Sequence, residues 1–236
     1  MAKTECVPPA ALAEAKQAVV QMNTGGRGFI AGTGIDRYVV TAAHCAPLEQ
    51  LPRPHLANSS SELAFKGMIG RLSSKRQTIW AELCVFGLTD DVAVFAAPDA
   101  QDLPDQNAQY ERFTNAATMI GIGRPPSLSA PINGKPRRGR PHGCSRSTAN
   151  WRSCVVHSTG RFLSITSGAR GIIEGGMSGS PIIDTYGAAI GLVSTGDYSL
   201  NRHPSLMDCL PPWLLRELRP DNAKPAMPLA AEANSA

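Results

Sequence analysis

No apolar run in the 236-residue chain approaches the roughly 18 to 20 residues a helix needs to cross a bilayer, so no membrane-spanning helix is expected. The start, Met1 to Cys6, lacks an apolar core and a cleavage site, and no secretory leader is visible there. Acidic and basic residues nearly balance, at a net charge of +4, which predicts solubility rather than nucleic-acid reading. The six cysteines (Cys6, Cys45, Cys84, Cys144, Cys154, Cys209) include no C-x-x-C pair and no His/Cys cluster at zinc spacing, so neither a metal nor a cofactor is expected. No internal repeat occurs, and no nucleic-acid partner is implied.

An even cysteine count fits disulfides in an oxidising compartment, hence a secreted or periplasmic protein whose leader has been removed; buried thiols in a reducing compartment are the alternative. Cys144 and Cys154 flank a short polar stretch and are the expected pair. Cys6, Cys45, Cys84 and Cys209 allow three connectivities between them.

What is present centres on Glu174 to Pro181, where Ser178 sits among Gly175, Gly176 and Gly179. Such a backbone can turn tightly and aim its N–H groups at whatever the Ser178 oxygen attacks, although a plain turn has the same composition. A serine hydroxyl needs a base, and the base an orienting partner. His44 follows the apolar run Tyr38 to Val40, and Asp90 and Asp91 open the short apolar run Val92 to Phe95.

Three motifs here resemble the chymotrypsin/trypsin family of serine endopeptidases, including its bacterial Do-like and glutamyl-endopeptidase-like branches. His44 lies in Thr41-Ala42-Ala43-His44-Cys45, Asp91 in Asp91-Val92-Ala93-Val94, and Ser178 in Gly176-Met177-Ser178-Gly179-Ser180-Pro181. Their order and their intervals of 47 and 87 residues suit a family with His and Asp in one half and Ser in the other. Ser180 in place of a second glycine, and only His203 after Ser178, exclude the α/β-hydrolase arrangement.

The resemblance implies an all-β fold of two six-stranded antiparallel β-barrels with a short C-terminal helix. Short apolar runs at Ala18–Met22, Phe29–Ile35, Arg37–Thr41, Leu63–Leu72, Thr78–Phe86 and Val92–Ala96 fit such a barrel. Residues 1–17 then form an N-terminal extension containing a short helix. The first barrel, carrying His44 and Asp91, spans 18–105; the second, with its helix and Ser178, spans 106–218; a disordered tail follows at 219–236. Pro98 to Tyr110 is polar and reads as the linker, Ala117 to Gly123 as a strand, and Val155–His157, Arg161–Thr166, Pro181–Asp184 and Ala188–Thr195 as later strands. Pro211–Leu218 is the expected helix, burying Trp213, Leu214 and Leu218. The basic segment Lys135 to Arg152 reads as a solvated surface loop, with docking of an anionic polymer as the alternative; its one aromatic, Trp151, makes no stacking platform.

By the same resemblance, the reaction is hydrolysis of a polypeptide substrate through an acyl-enzyme, with Ser178 as nucleophile, His44 as base and Asp91 as orienting acid. The N–H groups of Gly176 and Ser178 would form the oxyanion hole, and Ile172, Ser194, Thr195 and Gly196 would line the substrate site. Ile172 at the pocket floor disfavours a cationic side chain, whereas Asp197 or His203 could reach the pocket from its other wall. Cys45 departs from the family: the matching upstream position for its partner is about Ile30. Met177 replaces the aspartate that zymogen activation uses, so apolar packing is expected to order the turn, and the uncut chain is expected to be active. A catalytically silent homologue that binds proteins through the same groove is the alternative function, and the oligomeric state is left open.

Overall fold

The computed structural model describes residues 9–33, 36–46, 66–72, 74, 76–124, 141–145, 151–167, 173, 175–194 and 202–219. Helix α1 (Pro9–Ala18) opens on proline, whose fixed φ suits a first helical turn, and buries Ala15 and Ala18. It runs directly into β1 (Val19–Met22) and is followed by β2 (Arg27–Thr33), β3 (Asp36–Thr41), a short 3-10 turn (Ala43–Cys45), β4 (Lys66–Arg71), β5 (Ile79–Gly87) and β6 (Val92–Ala96). These six strands form a closed antiparallel barrel in the order β1-β2-β3-β6-β5-β4.

β-branched and aromatic residues dominate the buried positions, as a pleated, enclosed surface favours. Val40 on β3 lies opposite Phe29 on one side and Val94 on the other. On β5 the register slips between Leu83 and Val85, leaving Cys84 as an extra, outward-facing residue in a bulge. The bulge bends β5 around β6, the strand whose mouth carries Asp91.

After the barrel come helix α2 (Pro104–Asn115), then β7 (Pro141–Ser145), β8 (Trp151–Thr159), β9 (Phe162–Ser167), β10 (Pro181–Ile183), β11 (Ala189–Leu192), β12 (Arg202–Pro204), α3 (Leu206–Cys209) and α4 (Pro212–Leu218). The later strands form a six-stranded sheet in the order β11-β10-β7-β8-β9-β12. Read as a ring, that order repeats the winding of the first barrel. Its ends, however, are joined by a single antiparallel bridge, Gly191 to Ser205, rather than by a ladder. Only three residues of β12 pair in strand geometry, and β11 is bulged against β10, so little ladder is left to close the ring. A Cβ at position 191 would stand 2.5 Å from Leu163 Cδ1 and 2.7 Å from the Pro204 carbonyl, so glycine is what permits even this approach. One closed barrel and one six-stranded sheet is therefore the described architecture, where the sequence predicts two barrels.

Other expectations change as well. Most of the predicted linker is helical: α2 packs on β5, its Tyr110 is buried, and the Tyr110 hydroxyl donates to the Arg37 carbonyl at 2.9 Å. The helix spans the position between residues 105 and 106 at which the sequence suggests a domain boundary. Ala117 to Gly123 forms no strand, because its backbone bonds are spread over three elements: Ile120 N–H donates to Ile30, Ile122 N–H to Leu218 and Gly123 N–H to Ala189. Part of the basic segment is sheet, since β7 and the start of β8 fall within it; the rest lies outside the described residues. In α4 it is Leu214, Leu215 and Leu218 that are buried, while Trp213 is 46% exposed. Residues 1–8 and 220–236 also lie outside the described set.

The disulfide expectation fails for the cysteines described: Cys45, Cys84, Cys154 and Cys209 carry thiols. The register explains the expected pair, because Cys154 lies opposite His142 and Cys144 opposite Arg152. The two cysteines are thus diagonal neighbours, about 7 to 8 Å apart for such positions, beyond ordinary disulfide reach.

Phe95 is fully buried in the barrel core, beside the strand mouth that carries Asp91. Phe95→Ala is expected to cost about 3 to 5 kcal/mol in chemical denaturation, whereas Leu88→Ala, at a side chain 68% exposed, should stay within about 0.5 kcal/mol.

Candidate active site

The turn from Leu88 to Asp91 delivers the acid at the start of β6. Asp91 has φ 54°, the left-handed region that aspartate tolerates better than most side chains, and its N–H donates back to Leu88 at 3.3 Å. That conformation aims its carboxylate at the 3-10 turn carrying His44. The His44 backbone N–H donates to Asp91 Oδ1 at 3.0 Å, and His44 Nδ1 lies 2.9 Å from Oδ2 and 3.0 Å from Oδ1. From the other half of the chain, the Ser194 hydroxyl donates to Oδ2.

These contacts set the protonation states. Burial alone would raise the Asp91 carboxyl, but the hydrogen bonds from His44 and Ser194 outweigh it and hold the group below the ordinary carboxylate range. His44 moves the other way: its bond to Asp91, then the neighbouring Cys45, raise it above the usual histidine value against the opposing effect of burial. In the neutral ring the proton sits on Nδ1, facing Asp91, and Nε2 is left as an acceptor.

Asp90, the adjacent carboxylate, is engaged elsewhere. It forms an ion pair with Arg161 across the two halves and makes no contact with His44 among the described residues. Of the two candidate acids, geometry brings only Asp91 to the histidine.

Ser178 lies on a turn fixed from both sides. Arg27 N–H at the head of β2 donates to the Ser178 carbonyl at 2.7 Å, and the Cys45 thiol approaches the same oxygen at 3.7 Å. Gly179 N–H donates to Val193 at 2.6 Å, and Val193 N–H returns a bond to Ser180 at 2.8 Å. Gly179 has φ 82°, and a Cβ there would sit 1.9 Å from the Arg27 carbonyl, so no other residue fits without moving β2. Met177 is fully buried in the core of the second sheet with Val156, Leu163, Ile165 and Ile182, the apolar packing expected of it.

Through Cys45 the serine turn abuts the histidine turn, although Ser178 and His44 share no hydrogen bond among the described residues. Catalytic bonds are commonly loose before substrate binds. Gly176 has φ 82°, and neither its N–H nor that of Ser178 is taken by another backbone carbonyl among the described residues. Ile172, Thr195 and Gly196 lie outside the described set.

Two neighbours escape sequence reading as parts of this constellation. Arg161 holds Asp90, and His203, fully buried on β12, accepts the Ser194 N–H on Nδ1 at 3.2 Å. Neither belongs to a local motif; only the fold brings them here. Among the described residues, no group of three or more His, Cys, Asp or Glu could hold a metal ion, and no helix is long and apolar enough to cross a membrane.

No family model matches the sequence, and no curated protein matches it. Solved structures do. The chain is similar to Deg5 with a TM-score of 0.51 at 16% identity, over 84% of this chain and 88% of Deg5. A human pathogenic astrovirus serine protease matches with a TM-score of 0.47 at 18% identity, over 83% of this chain and 94% of that one. A serine endoprotease from Yersinia pestis matches at 0.46 and 18% identity; 84% of this chain spans 61% of that protein. The likeness to Deg5, at this identity, shows a shared fold.

Opposed histidine titrations follow from this geometry. Histidine NMR should find His44 still protonated above pH 6.5, its usual midpoint, and Asp91→Asn should return it towards that value. Burial lowers His203 to about 4, so it should stay neutral in the folded chain under mildly acidic conditions. The unfolded chain takes up that proton near 6.5 and the folded chain only near 4, so stability from this group is lost as pH falls across that window. Roughly 3 kcal/mol should be lost by its lower end, measured by denaturation against His203→Asn.

Proposed function

We propose that the chain is a serine endopeptidase that hydrolyses polypeptides through a covalent acyl-enzyme. The observation that carries this reading is the Asp91 carboxylate held on both the backbone and Nδ1 of His44, with Ser178 on the abutting turn. The barrel and sheet that hold these residues form a fold shared with Deg5. In this reading, residues 18–105 and 106–218 supply the two halves of the site, and the later sheet acts as a second barrel.

His44 Nε2 takes the proton of Ser178 Oγ as that oxygen attacks the peptide carbonyl, forming the carbon–oxygen bond of a tetrahedral intermediate. The imidazolium then passes its proton to the amine nitrogen as the carbon–nitrogen bond breaks. Water, deprotonated by His44, attacks the acyl-enzyme, and the proton returns to Ser178. Asp91 keeps the imidazole in the tautomer that leaves Nε2 basic and stabilises the cation formed in each half. The N–H groups of Gly176 and Ser178, neither committed to a backbone carbonyl among the described residues, receive the developing oxyanion; losing one such donor typically costs about 3 to 4 kcal/mol.

Substrate lies along Ser194, Thr195 and Gly196, with Ile172 at the base of a pocket that favours apolar side chains over cations. The serine turn is ordered by Arg27, Val193 and the burial of Met177 rather than by an ion pair to a newly cut amine.

Labelling with a fluorophosphonate probe and digestion of a diverse peptide pool with mass-spectrometric readout test this reading. Ser178→Ala and His44→Ala should abolish both signals in folded protein. Asp91→Asn should lower turnover by about four orders of magnitude through the wrong tautomer, while Asp90→Asn should lose far less. Turnover should rise with pH as His44 loses its proton, with a midpoint above 6.5. A folded chain that resists the probe and cleaves nothing would instead mark a protein-binding homologue.

A further inference from the structure

We infer that His203 is a positioning residue for this site: its imidazole holds the Ser194 backbone, and thereby keeps the Ser194 hydroxyl on the Asp91 carboxylate. The inference rests on the peptidase reading above and adds to it a residue outside the triad.

Ser194 lies two residues beyond the end of β11, where no strand ladder is left to receive its N–H. The preceding residue is secured by the serine turn, through the paired bonds of Val193 with Gly179 and Ser180. Ser194 itself is secured by two side chains: its N–H donates to His203 Nδ1 at 3.2 Å, and its hydroxyl donates to Asp91 Oδ2. A chain of contacts thus runs from β12 through His203, Ser194 and Asp91 to His44.

The chemistry of the imidazole fits that task. Accepting on Nδ1 places the ring proton on Nε2, and Nε2 has no hydrogen-bond partner among the described residues. A fully buried ring whose second nitrogen has no partner among the described residues is a costly way to fill a core position that leucine or phenylalanine would fill without that cost. What those residues lack is the acceptor at Nδ1. Burial lowers His203 to about 4, so it remains a neutral acceptor while His44 titrates. The two histidines thus serve opposite needs, one to exchange protons and the other never to carry an extra one.

Substitution separates this role from simple packing. In Asn the side-chain oxygen takes the place of Nδ1, whereas in Gln the polar end takes the place of Nε2. With a peptide cleaved by the wild-type chain, His203→Leu and His203→Gln are expected to lower kcat about tenfold or more with KM changed less than threefold. His203→Asn should recover most of that loss. In a Ser194→Ala background, His203→Leu should add less than twofold, because the hydroxyl it positions is gone.

Full additivity of the two losses, or a His203→Leu chain with kcat within twofold of wild type, would overturn the inference. NMR of the wild-type chain needs no variant and guards against a replacement that fails to fold: the ring nitrogens should report Nε2–H, and an Nδ1–H tautomer would also overturn it. If wild-type protein neither reacts with a fluorophosphonate nor cleaves peptides, the peptidase reading fails and takes this role with it. A reactive wild type with an indifferent His203 rejects the positioning role alone.

Discussion

The carboxylate of Asp91 is the junction on which the site depends. It accepts from the backbone and ring of His44, in the closed barrel, and from the hydroxyl of Ser194, in the later sheet. The left-handed backbone at Asp91 costs on the order of 1 to 3 kcal/mol, and hydrogen bonds to a charged group, each contributing about 1.5 to 3 kcal/mol, offset it. Strain and charge are therefore localised at one residue. Asp90 next to it keeps its own cation, Arg161, and the two carboxylates are drawn to different partners rather than competing for the histidine.

Ser178 is placed by a different means. No charge fixes Ser178; its carbonyl is held by Arg27 N–H, its following glycine is pressed against β2, and its preceding methionine is anchored among Val156, Leu163 and Ile165. Dense packing tolerates only small displacements, so a turn clamped between two cores is rigid without any ion pair. His44 and Asp91 are thus positioned by electrostatics and Ser178 by volume. Both constraints meet at Cys45, whose thiol fills the space between the two turns.

Much of this was legible in the chain. The motifs around His44, Asp91 and Ser178 are local, so the residue types and their neighbours carried the information, and the closed barrel followed from alternating short apolar runs. Elements held by distant partners were harder to read. Helix α2 is polar over most of its surface and depends on Tyr110 reaching Arg37, while Ala117 to Gly123 looks like a strand but distributes its bonds over β2, β11 and α4. The cysteines misled because pairing depends on register, and an offset of two residues turns neighbours into diagonals. In the sequence His203 reads only as a candidate pocket wall, since its contact with the Ser194 N–H arises only when β12 comes to rest behind that residue.

Helix α1 bears on how the two halves of the chain are joined. Its carbonyls at Leu12 and Glu14 accept from Trp151 and Thr118, and Ala11 lies against the turn at Gly187. These partners stand more than a hundred residues later in the sequence. Closing loops of that length costs chain entropy before any contact repays it. Helix α1 thus ties the two halves together: Ala15 and Ala18 enter the core cluster with the barrel strands, while the Leu12 and Glu14 carbonyls are bonded by residues of the later half.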